Sequence, residues 1–160
     1  MNAIAALGRY HHPGVSPDAL RISGIFGKLA SHWLGSATGQ SRIAEPTAAL
    51  IELYQRCRVA DWNGEDADAI TIEVLVEAKK LLDLLPSSIP TPEFLPEPTG
   101  AIAFEWYQGR NRVYVLSVSG NKTIEFAGLL GLGNEIHGKA NFEESLPQII
   151  QGQLREFFRQ

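Results

Sequence analysis

The chain has 160 residues and a mass of 17.5 kDa; 44% of its residues are hydrophobic, 20% are charged, and the formal net charge is −4. These values are typical of one folded domain with a sizeable core, and they argue against global disorder and against a generally basic nucleic-acid binder. The single cysteine excludes an intrachain disulfide framework and a cysteine-rich zinc site.

The sequence gives no sign of membrane insertion or export. It contains no apolar run near the ~18 residues that a bilayer crossing requires. Its apolar start ends at Gly8-Arg9 and lacks the basic front of a signal peptide. We therefore expect a cytoplasmic protein without a membrane partner.

Charge is distributed unevenly along the chain. Residues 1–58 carry three acids and six bases, residues 59–105 carry ten acids and two bases, and residues 106–160 carry five acids and six bases. The middle block therefore has a net charge of −8 between weakly basic flanks. Such a block is typical of a solvated face, and the alternative is an acidic docking patch for a basic partner.

Residues 1–45 are predicted to form an N-terminal extension to a single α+β domain over residues 46–160. Turn-type sequences around Pro13 and residues 35–41 bracket one short amphipathic helix. Its apolar stripe consists of Ile25, Phe26, Leu29, Ala30, Trp33 and Leu34. This stripe either packs on the main core or forms a helix for partner binding or oligomerisation.

Three helices are predicted in the main domain. The first begins at Pro46 and runs to about residue 58, with Cys57 on its buried stripe. The second covers about 72–85 behind an N-cap at Thr71, and the last covers about 144–158. Their core-facing stripes are Leu50, Leu53, Tyr54 and Cys57; Leu75, Ala78, Leu82 and Leu85; and Leu146, Ile149, Ile150, Leu154, Phe157 and Phe158.

Two irregular segments separate the first helices from the sheet. Asp61 and Trp62 begin an acidic loop in which an Asn63-Gly64 turn anchors the indole; its spacing does not match a calcium loop. Five prolines between Pro86 and Pro98 indicate a stiff crossover, with at most an edge strand around residues 93–95. The alternative is a proline-rich PxxP segment that binds a partner.

An antiparallel meander follows, with strands over 101–107, 112–119 and 122–130. The hairpin loop 108–111 places Tyr107 opposite Arg112, and a two-residue turn at Gly120-Asn121 places Ser119 opposite Lys122. The fold class is thus α+β, with a meander sheet of three to five strands packed against two or three helices.

This register assigns the two faces of the sheet. The core face carries Ile102, Phe104 and Trp106, opposed by Ser117, Val115 and Val113, with Ile124, Phe126 and Gly128 on the third strand. Gly128 makes room for the indole of Trp106. The other face carries Glu105, Tyr107, Arg112 and Tyr114, and it is either the cover site for the N-terminal segment or a protein-binding platform.

The glycine-rich segment 128–138 lacks the lysine and hydroxyl residue of a phosphate loop. Bends or a bulge in a continuing strand explain its glycines. His137 is the residue here that could titrate near neutral pH, and we interpret it as a structural hydrogen-bonding histidine.

Several motifs occur in a fixed order over residues 59–158: Asp61-Trp62-Asn63-Gly64, the capped helix, Pro86 and Pro90 to Pro98, Glu105-Trp106, Phe126-Ala127-Gly128-Leu129, His137-Gly138 and Leu146-Pro147. In this order they resemble the motifs of a family of small uncharacterised bacterial proteins. The chain departs from the family pattern at Gly64-Glu65-Asp66-Ala67, where members generally have Gly-Tyr-Gly-Ala. The resemblance implies a bacterial or mobile-element origin and transfers no catalytic residue.

No catalytic constellation, cofactor motif or metal-ligand spacing emerges from the sequence. The leading hypothesis is a non-enzymatic protein-interaction module, such as an accessory or antitoxin-like partner of another bacterial protein, which binds another protein or itself rather than nucleic acid. The alternative is a small hydrolase or ligand-binding domain. Its pocket would lie near His137, Glu105 and Tyr114. The candidate binding residues are Asp61, Trp62, Glu105, Tyr107, Arg112, Tyr114 and His137.

Overall fold

A computed structural model of the chain describes residues 41–159, with their side chains from residue 45 onward. In chain order the elements are α1 (Ser41–Cys57), α2 (Ile72–Leu84), β1 (Glu93–Pro96), β2 (Ile102–Gly109), β3 (Arg112–Val118), β4 (Thr123–Leu130), β5 (Glu135–Asn141) and α3 (Gln148–Phe157). All five strands form one antiparallel sheet in sequence order. The predicted α+β class is confirmed. The amphipathic helix predicted within residues 1–45 lies outside the described residues.

The helices follow the predicted apolar stripes with shifted ends. α1 begins at Ser41, so Pro46 lies inside it rather than at its start. α2 begins at Ile72, directly after the predicted N-cap Thr71, whose side chain makes no capping hydrogen bond to the backbone. α3 begins at Gln148, four residues later than predicted, directly after Pro147. The stripe predicted for α3 is wrong at Ile149, which is 53% exposed.

One face of the sheet forms the core. Its side chains are at most 7% exposed and come from the three central strands: Ile102, Phe104, Trp106, Tyr114, Leu116, Val118, Ile124 and Phe126. The buried residues of the helices complete this core, among them Leu50, Leu75, Ala78, Ile150 and Leu154. Cys57 is buried on α1, as predicted. The helices therefore cover one side of the sheet.

The predicted register of both hairpins is wrong by one residue. Gly109 extends β2 and pairs with Arg112, and a bulge between Tyr107 and Gly109 moves Tyr107 opposite Val113. Between β3 and β4 the turn includes Lys122, in a left-handed conformation at φ 61°, so Val118 pairs with Ile124. Because side chains alternate between faces, these shifts place every residue of β3 on the face opposite to the predicted one, while β2 and β4 keep their predicted faces.

The corrected register changes what surrounds Gly128. This residue pairs with Tyr114, and a Cβ added there would lie 2.8 Å from Cδ2 of the Tyr114 ring and 3.0 Å from the carbonyl oxygen of Val113. The missing side chain therefore accommodates the Tyr114 ring rather than the predicted indole of Trp106.

Candidate functional site

The face of the sheet opposite the helices is the main candidate surface, and we call it the open face. Its side chains are Glu93, Leu95, Ala103, Glu105, Tyr107, Val113, Val115, Ser117, Thr123, Glu125, Ala127, Leu129, Glu135, His137, Lys139 and Asn141. Apart from Ala103, which is 5% exposed, these residues are half-buried or exposed. Among residues 41–159, no helix covers this face.

Three of the seven predicted binding residues lie on the open face, namely Glu105, Tyr107 and His137. Tyr107 is 67% exposed at the end of β2. Arg112 and Tyr114 belong to the opposite side of β3, and the prediction that they share this surface is wrong.

Tyr114 is a core residue. Its side chain is fully buried, and its hydroxyl donates a hydrogen bond to Oε1 of Gln153 on α3 at 2.7 Å. Its ring lies 6.0 Å from that of Phe157 and 6.2 Å from that of Trp106. Burial raises the pKa of the phenol far above its ordinary value, so the hydroxyl stays protonated. Tyr114 therefore fixes α3 on the sheet.

Arg112 binds the carboxyl end of α3. Its Nη2 donates to the carbonyl oxygens of Phe157, Glu156 and Arg159 at 2.6, 3.2 and 3.1 Å. Its Nε donates to the Phe157 carbonyl at 3.1 Å and to Oε1 of Gln108 at 3.0 Å. The last carbonyls of a helix lack internal donors and carry its negative partial charge. This arginine consequently caps α3 and is engaged in holding the fold.

Asp61 and Trp62 lie in a self-bonded loop after α1. Oδ1 of Asp61 accepts the Asp66 amide at 3.0 Å, and Nε1 of Trp62 donates to the Asp68 carbonyl at 3.0 Å. The Asn63 side chain accepts the amides of Glu65 and Ala67. These contacts support the predicted turn that anchors Trp62, and they show the loop stabilising its own conformation.

The pocket predicted around His137, Glu105 and Tyr114 does not form. Glu105 and His137 share one row of the open face, but Val115 and Ala127 stand between them on the two intervening strands. Three strand spacings separate their backbones by about 14 Å. Tyr114 lies under the other face of the sheet, so the three side chains share no cavity.

The open face is predominantly acidic around an aliphatic centre. Val113, Val115, Ala127 and Leu129 form adjoining rows on β3 and β4. Four glutamates surround them: Glu93, Glu105, Glu125 and Glu135. Among the strand residues of the open face, Lys139 is the one lysine or arginine, and its Nζ is ion-paired with Oε1 of Glu125 at 2.5 Å. A shallow depression of about 370 Å³ lies over Val115 and Ala127 and reaches Glu97, Glu125 and His137.

A second depression, of about 490 Å³, lies between α2 and the β3–β4 turn. Glu77 on its wall is only 8% exposed, and neither carboxylate oxygen has a hydrogen-bond partner of good geometry. Burial raises the pKa of this carboxyl, although the nearby amides of Gly120 and Lys122 and the charge of Lys80 oppose that shift. Glu77 is not among the residues predicted to be functional, because its position in the amino-terminal half of a helix is ordinary for an acidic residue.

The remaining titratable groups do not form a reactive centre. Burial raises the pKa of the Cys57 thiol, with a smaller opposing effect from Arg56, so the thiol is a poor nucleophile. Within residues 41–159, no group of three histidine, cysteine or carboxylate side chains is arranged to hold a metal ion. None of the helices α1 to α3 has both the length and the apolar character needed to cross a membrane.

Comparison with known proteins gives no match to a family model, to a curated protein or to a solved structure. The resemblance to small bacterial proteins therefore stays a prediction.

Proposed function

We propose that this protein is a non-enzymatic protein-interaction module whose open face binds a basic partner protein, in the manner of an accessory or antitoxin-like protein in bacteria. The supporting observation is the asymmetry of the sheet. One face is buried under three helices, whereas the other presents half-exposed aliphatic side chains bordered by glutamates.

The composition of the open face suits protein recognition. Protein interfaces place apolar residues at the centre and polar residues at the rim, and exposed tyrosines often contribute strongly to binding. Here Val113, Val115 and Leu129 supply the centre, and Tyr107 stands at one end with two thirds of its side chain exposed. Such a patch binds a partner by excluding water from its aliphatic rows.

The charge on the open face indicates the sign of the partner. Glu93 and Glu105 are direct neighbours across β1 and β2, which places two like charges side by side. A lysine or arginine of a partner would relieve this repulsion. Complementary charge also speeds encounter, so the complex should form faster at low salt.

Affinity capture from the source cells with matched charge variants tests this proposal. Glu105→Lys reverses a charge on the open face, whereas Glu52→Lys makes the same change at an exposed position on α1. The captured partner should be basic, should be lost from Glu105→Lys and from Tyr107→Ala, and should be retained by Glu52→Lys. Recovery of the chain without a partner, or equal retention by all variants, would contradict the proposal.

A further inference from the structure

The two edges of the sheet differ in their capacity to pair with another strand. β1 forms one edge and has four residues; β5 forms the other and has seven. Edge strands carry unpaired backbone donors and acceptors, and proteins usually block them with prolines, short length or covering segments.

The β1 edge is blocked by its sequence. The amide of Glu97 donates to the Ala101 carbonyl at 2.9 Å, so the odd-numbered residues of this strand point their backbone groups toward β2. The outward positions are then Pro92, Phe94 and Pro96. Because proline has no N–H, Phe94 is the one outward donor of the three.

Within residues 41–159, the β5 edge is open along its whole length. Phe142 donates to the Lys122 carbonyl at 2.8 Å, and Leu130 donates to the Asn134 carbonyl at 2.9 Å, so the even-numbered residues pair with β4. Glu135, His137, Lys139 and Asn141 consequently turn their amides and carbonyls outward. All four residues are exposed, and no strand within residues 41–159 lies beside β5 on the side away from β4.

We propose that β5 pairs antiparallel with β5 of a second copy of this chain, around a two-fold axis at His137. In this register residue 135 of one copy faces residue 139 of the other, so Glu135 meets Lys139 twice. The pairs 135–139, 137–137 and 139–135 then bring outward backbone amides and carbonyls of the two copies face to face. Each pair exchanges two hydrogen bonds, which gives about six between the strands.

The side chains favour this register. Glu135 and Lys139 both project on the open face, and Lys139 then lies between Glu125 of its own chain and Glu135 of the second copy. On the helical side, Ile136 of one copy meets Gly138 of the other, where no side chain obstructs it. A partner strand with like charges at these positions would be repelled.

Sedimentation equilibrium of the full chain tests the pairing. The wild type should have twice the chain mass of 17.5 kDa. His137→Pro removes an outward amide without removing a bond to β4, and it should give a monomer; the matched control His137→Ala keeps the amide and should stay dimeric. A monomeric wild type, or a dimer that survives in a folded His137→Pro variant, would overturn the proposal.

Two further experiments test the register even where His137→Pro fails to fold. Glu135→Lys should weaken dimerisation by about tenfold, because symmetry applies the repulsion twice, and adding Lys139→Glu should restore most of the loss. Mild oxidation of His137→Cys should link two chains, because paired positions lie about 5.5 Å apart. Lys139→Cys should not self-link. Equal linking at both positions would refute this register.

Discussion

Replacing Arg112 with methionine removes the guanidinium cap of α3 and keeps an aliphatic stem of similar length. The two bonds to the Phe157 carbonyl, at 2.6 and 3.1 Å, are partly buried, whereas the bonds to Glu156 and Arg159 are exposed and can be replaced by water. A charged hydrogen bond contributes roughly 1.5–3 kcal/mol, and a cation at a helix carboxyl end adds about 0.3–1 kcal/mol. We therefore expect Arg112→Met to lower the free energy of unfolding by about 2–3 kcal/mol.

Arg112→Lys provides the matched control. Lysine keeps the charge at the helix end but lacks the planar fork that reaches several carbonyls, so about half of the loss should remain. Urea denaturation measures both changes, and hydrogen exchange should show that the amides of α3 lose protection before those of β3. Unchanged stability in both variants, or a loss of stability with α3 still fully protected, would refute the capping role.

Three other substitutions test separate contacts. Glu77→Gln should raise the free energy of unfolding at pH 7 by about 1 kcal/mol, because it removes a carboxylate whose charged form is disfavoured by burial. Since the pKa of Glu77 is raised in the folded state, the stability of the wild type falls as pH rises through that pKa. In pH-dependent denaturation the stabilities of the wild type and the variant should therefore converge below about pH 4, where the glutamate is protonated in both states. Tyr114→Phe should cost about 1 kcal/mol, and a double-mutant cycle with Gln153→Ala should show coupling; additive effects would contradict the hydrogen bond. Gly138→Ala should cost about 1–3 kcal/mol in thermal unfolding, because its Cβ would lie 2.7 Å from Cζ of Phe126; an unchanged melting temperature would count against this contact.

Most elements of the fold were predictable because they have strong local signals. The stripe of Leu50, Leu53, Tyr54 and Cys57 has helical spacing and is fully buried. The prolines around residues 86–98 restricted that segment to a short edge strand, as β1 shows. The fifth strand was only hinted at, since Gly131 and Gly133 form the turn of a hairpin rather than bends in a continuing strand.

The register was not predictable from turn length alone. Loop 108–111 looks like a four-residue connection, but Gly109 adopts φ 133°, joins β2 and leaves a bulge behind it. One signal favoured the correct pairing: the predicted register placed Ser117 in the core, whereas the alternative places Tyr114, Leu116 and Val118 there. The second hairpin shifts by one residue in the compensating direction, so β4 kept its correct relation to β2.

The one-residue error in the register of β3 also affected the predicted binding surface. The shift of β3 removes Tyr114 and Arg112 from the predicted surface, whereas Glu105 and Tyr107 on β2 remain on the open face. The acidic block of residues 59–105 is likewise not one surface. Its acids are divided among the Asp61 loop, α2 and the β1–β2 edge, and the open face gains Glu125 and Glu135 from outside the block.

The prolines that flank β1 also limit how far the sheet can extend. A chain joined to a second copy through β5 would present a β1 edge at each end of the combined sheet. Because Pro92 and Pro96 lack an N–H, each β1 edge offers one outward donor instead of three, and a third copy cannot pair with it along its length. Growth by edge pairing would stop at two chains, which separates a finite assembly from a fibril.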